Sequence, residues 1–401
     1  MDAFYASVEL LRYPELAGLP VVIGGGSAHR PLERTDPATG AIRREFATLG
    51  QYAGRGVATT ATYEARTLGV HSAMGLMKAA ALAPHATLLP VDFDAYRRMS
   101  RRFKAAVRAI APRIEDRGID EIYIDLSDAI GARDGVDAAA GDAGVVQIDS
   151  GAVRALAQSI KDVVRKATGL RCSIGVAPNK LLAKIASDLD KPDGLTLIGE
   201  GDLERRIWPL PARRINGIGP KSAERLAALD IHTIADLAQA DPALLVERFG
   251  RAHGEWMVAA SHGRDARPVV TSSEPQSISR ETTFERDLSA TRDRAQLSVI
   301  FTELCDGVGD DLKRKGYAGR TIGLKLRYDN FRTVTRDVTL AAPTQDAAAI
   351  RRAAGSCLKR VALERRIRLL GVRVGSLVPA HLAANGVEEP ASLTGSLFDW
   401  G

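Results

Sequence analysis

The sequence predicts an α+β protein of several domains, and three observations carry that prediction. At 401 residues the chain is too long for one ordinary domain. Its first half interleaves short strand patterns with amphipathic helical ones, and residues 208–257 switch to short helices broken by Gly and Pro. Beyond a polar stretch, clean apolar–polar alternation returns at 321–328 and 371–377, the pattern of a sheet with one packed face. A composition of 45% hydrophobic and 26% charged residues excludes a disordered chain, and no apolar run nears the ~20 residues of a membrane span. Cys172, Cys305 and Cys357 are too widely spaced for a disulfide framework or a zinc pattern. They read as small buried hydrophobes of a reducing compartment. The opening residues carry no signal-peptide pattern, so a cytoplasmic protein is expected.

Taken in order, "MDAFYASVEL" reads as the end of a buried strand running into a helix. Residues 19–26, "LPVVIGGG", form a short buried strand ending in a glycine turn. Residues 27–55 are polar, with Pro31, Pro37, Gly40 and Gly54, and read as a long surface loop or extended hairpin. Residues 56–70 run from a β-rich stretch into a short helix. From Phe93 to Ile110, the residues Phe93, Tyr96, Met99, Phe103, Val107 and Ile110 recur at helical spacing. Residues 117–128 are a strand pattern, and the Gly-rich, acidic residues 129–151 mark a loop insertion. A second amphipathic helix carries Val153, Leu156, Ile160, Val163 and Val164 on one face; "RCSIGVAP" is a strand and "NKLLAKIASDL" a helix. Residues 261–277 are polar and aperiodic, which reads as a linker. In the alternating segment, Ile322, Leu324, Leu326 and Tyr328 take one face and Lys325 and Arg327 the other.

Charge is unevenly distributed. The net charge is +6, yet residues 313–336 hold eight Lys/Arg against Asp329 alone, and residues 351–373 hold eight against Glu364 alone. Two such stretches fit a polyanion; a solvated charged face reads the same way. "GIDEIYID" puts Asp120 beside Glu121. Adjacent carboxylates repel, and a divalent cation such as Mg²⁺, which takes hard oxygen ligands, relieves that repulsion. Neighbours in an ideal strand face opposite ways, so both reach one ion only where the backbone is irregular, as Gly118 allows. A surface acidic pair at a strand end is the plainer alternative. Tyr63 and Arg66, three apart, share a helical face suited to phosphate or simply to solvent. Lys191 leads into a Pro-Asp-Gly turn. In "INGIGPKSAERL", Gly217 and Gly219 flank a turn with Pro220 opening a helix. That is the helix-hairpin-helix signature, whose bare backbone N–H groups suit a DNA phosphate; a tight turn in a structural bundle is the alternative.

Together these segments resemble the Y-family DNA polymerases, most closely the DinB type. The matching runs are "MDAFYASVE", "TATYEARTLGVHSAM", "GIDEIYIDLSD", "IGVAPNKLLAKIASDLDKPDG", "INGIGPKSAERLAALDIHTIADL" and "SISRETTFERDL", in family order over nearly the whole chain. The resemblance implies a right-hand polymerase. Residues 1–9 and 78–194 would be the palm and 10–77 small fingers. Residues 195–260 would be a helical helix-hairpin-helix thumb, 261–277 a linker and 278–380 an α+β little finger, with 381–401 a tail. It implies an error-prone translesion enzyme, acting as a monomer on primer-template DNA and deoxynucleoside triphosphates with two Mg²⁺ ions. By motif, Asp120, Glu121 and the Met1 backbone carbonyl would hold metal, Glu121 also positioning the primer 3′-hydroxyl. Tyr63, Arg66 and Lys191 would hold the triphosphate. Tyr5, with Phe4 beside it, would be the steric gate against a ribose 2′-hydroxyl. Gly217, Gly219, Lys221, Lys325, Arg327 and Arg332 would contact DNA. "GSLFDW" resembles the end of a sliding-clamp peptide with Leu397 and Phe398 as anchors, though it lacks the usual leading Gln; a disordered tail is the alternative.

Two departures from the family pattern stand out. Residues 27–55 and 129–151 look like insertions. The family motif also begins with an Asp one position before Met1, a carboxylate shared by both metals. A chain starting at Met1 is expected to be severely impaired, with a catalytically dead relative that binds DNA and clamp as the alternative. Asp2 is a weak substitute, because it would shift the carboxylate by one strand repeat, ~6–7 Å.

Overall fold

The computed structural model describes residues 1–35, 37, 40, 42–127 and 150–383. All but the last two residues of the insertion read at 129–151, and the tail bearing Leu397 and Phe398, therefore lie outside the described residues. The chain divides into two compact units, Met1–Ser272 and Ser273–Gly401.

In the first unit, α1 (Phe4–Arg12) leads into β1 (Val21–Gly25). A hairpin follows, β2 (Leu32–Thr35) and β3 (Ile42–Glu45), where the sequence left loop and hairpin open. Next come β4 (Thr60–Ala61), α2 (Tyr63–Thr67), α3 (Leu76–Leu82), β5 (Thr87–Pro90) and α4 (Phe93–Arg108). β1 is the middle of a three-stranded sheet, antiparallel to β4 and parallel to β5. Its alternation sets the layering: Val21 and Ile23 pack with Phe4, Val8 and Tyr96, while Val22 packs with Ala65, Leu76 and Ala79. Both faces are covered, so the continuous apolar run "VVI" is what this strand requires. Gly24 is obligatory, since a Cβ there would stand 2.4 Å from the Val57 carbonyl oxygen.

β6 (Ile114–Asp116) and β7 (Ile122–Ile124) form a tight hairpin closed by the Arg117 N–H on the Glu121 carbonyl at 3.0 Å. The strand expected over 117–128 is thus only three residues long. Gly118, at φ +146°, turns the chain through Asp120 before β7 begins. α5 (Ser150–Thr168) packs against α4, and β8 (Ile174–Val176) runs parallel to β9 (Leu195–Leu197) with α6 (Lys180–Leu189) between. Four short helices follow: α7 (Pro220–Ala227), α8 (Ile234–Gln239), α9 (Pro242–Phe249) and α10 (Arg251–Ser261). They share a core of Ile215, Ile218, Leu226, Ile234, Leu245 and Met257.

The second unit is a four-stranded antiparallel sheet in the order β10 (Ser277–Leu288), β13 (Ile367–Pro379), β11 (Tyr317–Tyr328), β12 (Thr333–Thr344). Helices α11 (Arg294–Lys315) and α12 (Ala347–Leu358) cover one face; a single turn, α13 (Ala380–Ala383), closes the described residues. Ile322, Leu324, Leu326 and Tyr328 point into that core, as their alternation predicts. α11 ends at Gly316, in the left-handed region at φ +75°. Cys172, Cys305 and Cys357 are buried free thiols; burial pushes Cys172 up to about 11 and Cys305 to about 12. No helix among the described residues is long and apolar enough to cross a membrane.

The stretch read as a linker is in large part strapped to the first unit. Asn179 Nδ2 donates to the Gly263 carbonyl at 2.7 Å, and the Leu181 N–H donates to Asp265 at 3.0 Å. Lys180 Nζ donates to the Pro268 carbonyl at 2.8 Å and to Glu115 at 2.7 Å, and Glu115 also accepts from the Val270 N–H at 2.9 Å. Polar residues without periodicity look like a tether from sequence, yet these find partners on α6 and β6. Burial raises the Glu115 carboxyl, but the hydrogen bonds from Lys180 and Val270 more than offset it, so it sits below the ordinary glutamate range. Its stabilising contribution is therefore complete above the unfolded value of ~4.3 and is lost as pH falls through the lower folded value. Glu115→Ala leaves the half-buried Lys180 ammonium with the Pro268 carbonyl but no carboxylate, frees the Val270 N–H, and should cost about 3 kcal/mol in urea unfolding, with new proteolytic cutting near 263–272. An unchanged unfolding midpoint would contradict the strap.

Candidate active site

An open cleft in the first unit is lined by Met1, Ala3, Phe4, Tyr5, Thr59, Thr60, Tyr63, Arg66, Ser72, Asp120 and Lys191. Most of the predicted catalytic and substrate-binding residues meet here. Tyr5 is the second residue of α1, just past Ala3, a non-glycine held in the left-handed region at φ +41°. Its ring stacks on Tyr96 at 4.4 Å between centroids and meets the edge of Phe93 at 6.0 Å. Tyr96 is fixed in turn by its hydroxyl donating to Glu9 at 2.7 Å, so the Tyr5 ring has a rigid support. Phe4 points into the core against Tyr96 and Phe103. Burial first, and the Asp120 charge second, raise the Tyr5 hydroxyl above the ordinary tyrosine value.

Tyr63 and Arg66 stand on α2, which is capped by Thr62 accepting from the Ala65 N–H. The Arg66 guanidinium lies 4.9 Å from the Tyr63 ring centroid and donates to the Ala61 carbonyl at 3.1 Å. The Tyr63 hydroxyl is buried and has no hydrogen-bond partner. Burial, followed by the charge of Asp2, raises its pKa. An unmet buried hydroxyl is costly, which sets this one apart from the other buried polar side chains of the described residues.

Asp120 reaches the cleft from the β6–β7 turn, and the Met1 ammonium donates to its backbone carbonyl at 2.8 Å. Glu121 does not line the cleft; its carboxylate pairs with Lys184 at 3.2 Å. Lys184 lies 3.8 Å from Asp188, which also pairs with Lys191. A line of alternating charge thus runs from Glu121 to the cleft. Sequence reasoning assigned a role to Lys191 but none to Lys184 or Asp188, although Lys184 and Asp188 stand at i, i+4 on α6 and Lys191 follows just past its end. Thr60 and Ser72 lie within the matching run "TATYEARTLGVHSAM" but were not singled out, and Thr59 stands just before it. Among the described residues no group of three or more His, Cys, Asp or Glu forms a metal-binding cluster. Asp120 and Glu121 still offer the hard oxygen donors a divalent cation takes. Asp2 plays another part: it is buried, accepting from Ser173 Oγ at 2.9 and 3.0 Å and from the Asp193 N–H at 2.9 Å.

Away from the cleft, Gly219 caps α7 with Pro220 at its first position, and Lys221 follows. Gly217 sits at φ +119° with Trp256 packed beneath it; a Cβ would stand 2.6 Å from the indole. In the second unit Lys325 and Arg327 share the outer sheet face, whereas Arg332 lies in the β11–β12 turn. The eight cations of 313–336 do not make one surface, because Lys313, Arg314 and Lys315 belong to the end of α11.

Residues 1–188 match the impB/mucB/samB family, residues 275–385 its C-terminal domain, and residues 212–252 a SAM-like helix-hairpin-helix tandem. DNA polymerase IV of Methanoculleus marisnigri is 41% identical over 377 residues, covering 94% of this chain and 92% of the relative. DNA polymerase IV of Streptomyces coelicolor is 37% identical over 403 residues, covering 99% and 75%. Two solved structures share the fold at 23% identity, each covering 94% of this chain and 97% of the other. They are a Y-family DNA polymerase chimera, Dbh-Dpo4(243-245)-Dbh, at TM-score 0.75, and an insertion ternary complex of Dbh DNA polymerase, at 0.61. The chain belongs to the impB/mucB/samB family, the Y family of DNA polymerases.

Gly217→Ala should strain the turn and push against Trp256. The expected result is DNA affinity lowered about tenfold, corresponding to ~1.4 kcal/mol, with little change in the cleft. Anisotropy with a labelled duplex measures it; parent-like affinity would contradict a phosphate-binding role for this turn.

Proposed function

We propose that this DNA-directed DNA polymerase joins a primer 3′-hydroxyl to the α-phosphorus of an incoming deoxynucleoside triphosphate, with pyrophosphate leaving. The observation that carries this reading is the buried, unpartnered Tyr63 hydroxyl beside Arg66, in the cleft that also holds Asp120 and Lys191. Tyr63 donates to a phosphate oxygen, and Arg66 and Lys191 supply the cationic contacts that polyphosphate recognition needs. Lys191 gives up Asp188 to do so. Tyr5, held flat by Tyr96, lies under the sugar and excludes a 2′-hydroxyl.

Asp120, Glu121 and the Met1 backbone carbonyl are the proposed ligands for two Mg²⁺ ions. Bound there, Mg²⁺ would neutralise charge developing on the phosphate oxygens. Asp120, Glu121 and the Met1 carbonyl are few donors for two ions, so oxygens from outside the protein would have to supply the rest. Glu121 turns from Lys184 toward the primer hydroxyl. The proposed domains follow the family: palm at 1–9 and 78–194, fingers at 10–77, thumb at 195–260, little finger at 278–380. Gly217, Gly219, Lys221, Lys325, Arg327 and Arg332 hold primer-template DNA, and Leu397 and Phe398 anchor a sliding clamp. Error-prone translesion synthesis by a cytoplasmic monomer is the proposed setting.

Primer extension with Mg²⁺ tests the reading. Asp120→Asn should lower extension about 10²–10³-fold. Tyr63→Phe should raise the KM for deoxynucleotide about tenfold with a smaller change in kcat, as expected for loss of a hydrogen bond to a charged group. Tyr5→Ala should admit ribonucleotides that the parent rejects. Extension by Asp120→Asn at the parent rate would overturn the assignment. A parent chain that binds primer-template but never extends it would favour the scaffold reading.

A further inference from the structure

The outer face of the β10-β13-β11-β12 sheet is built in rows. One row is Ser279, Arg373, Gly323 and Asp337; the next is Glu281, Gly371, Lys325 and Thr335. In the first, Arg373 passes over Gly323 and reaches Asp337 on the strand beyond, with Nη2 to Oδ1 at 3.2 Å. In the second, Lys325 passes over Gly371 and reaches Glu281, with Nζ to Oε2 at 2.8 Å. Strands lie ~4.8 Å apart, so each pair bridges roughly 10 Å of sheet. Each crossing needs its glycine. A Cβ on Gly323 would stand 2.3 Å from Asp337 Oδ1, and one on Gly371 2.8 Å from the Glu281 Cβ.

The face is therefore not the uncompensated basic surface that counting along the chain suggested. Lys325 and Arg373 are paired with acids outside the counted stretches: Asp337 directly follows the first, and Glu281 comes from β10, far earlier in the chain. All four side chains are more than a third exposed, and exposed pairs contribute little to folding. What the pairs do accomplish is geometric: two long cations are laid flat, side by side, among the hydroxyls of Thr321, Thr333 and Ser376. A flat strip of cations and hydroxyls suits a phosphate backbone, and each carboxylate both competes for its cation and repels the phosphate.

We propose that Glu281 and Asp337 are counter-charges that hold Lys325 and Arg373 across the sheet and weaken its grip on duplex DNA. This rests on the DNA polymerase reading above. A polymerase must loosen and renew its hold on the duplex after every addition, and a cation that already has a partner lets go of phosphate more easily.

The test is anisotropy of the full chain on a labelled primer-template, titrated across about 50–200 mM salt. Glu281→Gln and Asp337→Asn should each tighten binding three- to tenfold at low salt. Each should also steepen the log K against log salt slope by ~0.9, one phosphate per freed cation. Gly323→Ala provides a second route without altering charge: its methyl pushes the Asp337 carboxylate aside, so it should tighten binding in the same direction. Variants with parent-like melting curves and unchanged or weaker binding would overturn the proposal. If the parent itself shows no salt-dependent binding, the DNA reading fails; if the parent binds and no variant tightens, only the counter-charge assignment fails.

Discussion

Asp2 turns its carboxylate inward, and two distant parts of the chain meet on it. Ser173, just before β8, donates its hydroxyl, and Asp193, in the turn after α6, donates its N–H. Ser173 Oγ also accepts from the Gly194 N–H at 3.1 Å, so one hydroxyl links carboxylate and turn. Asp2 is only 4% exposed, and a polar group buried that far is costly unless hydrogen-bonded, as this one is. The turn is gripped from its other side as well, because the Asp193 carboxylate holds Lys161 at 2.8 Å and pairs with Arg165. With both ends pinned, Lys191 is delivered to the cleft from one direction and Tyr5 from the other. The charge of Asp2 is felt at the Tyr63 hydroxyl too, after burial, in the same upward shift of its pKa.

The cleft and the outer sheet face follow one electrostatic pattern. Cations suited to phosphate are already satisfied by weaker partners: Lys191 by Asp188, Arg66 by a backbone carbonyl, Lys325 by Glu281 and Arg373 by Asp337. Such partners hold long side chains in place, which lowers the entropy lost when a ligand arrives. They also set a competition that the ligand must win. The Tyr63 hydroxyl differs, since it is the one buried side-chain polar atom among the described residues without a partner. A phosphate oxygen reaching it would gain a hydrogen bond without breaking one to another protein group.

Much of this was legible in the sequence because the signals are local. The run "VVI" has to be a strand covered on both faces, and Thr62 with "YEAR" has to start a short helix. Pro220 behind Gly219 marks the start of α7. Tyr5, Tyr63, Arg66, Asp120 and Lys191 were found as motif positions, and they line one cleft. What stayed hidden depends on pairing across the fold. Residues 263–270 look like a free tether until Asn179, Lys180 and Glu115 are seen beside them. Lys325 looks free until register puts Glu281 two strands away. The strand expected over 117–128 shrinks to 122–124 because the irregularity that Gly118 signalled is a full turn through Asp120. Asp2 gave no signal, since nothing local distinguishes a buried structural carboxylate from an exposed one.

The central claim is that a deoxynucleoside triphosphate sits between Tyr5 and the Tyr63–Arg66 pair, with its phosphates facing Asp120. A crystal structure with primer-template DNA, a non-hydrolysable deoxynucleotide and Mg²⁺ tests it most directly. The account predicts a phosphate oxygen within hydrogen-bond distance of the Tyr63 hydroxyl, with the sugar on the Tyr5 ring and Lys191 released from Asp188. A bound nucleotide that leaves the Tyr63 hydroxyl unpartnered, or that lies outside this cleft, would contradict it.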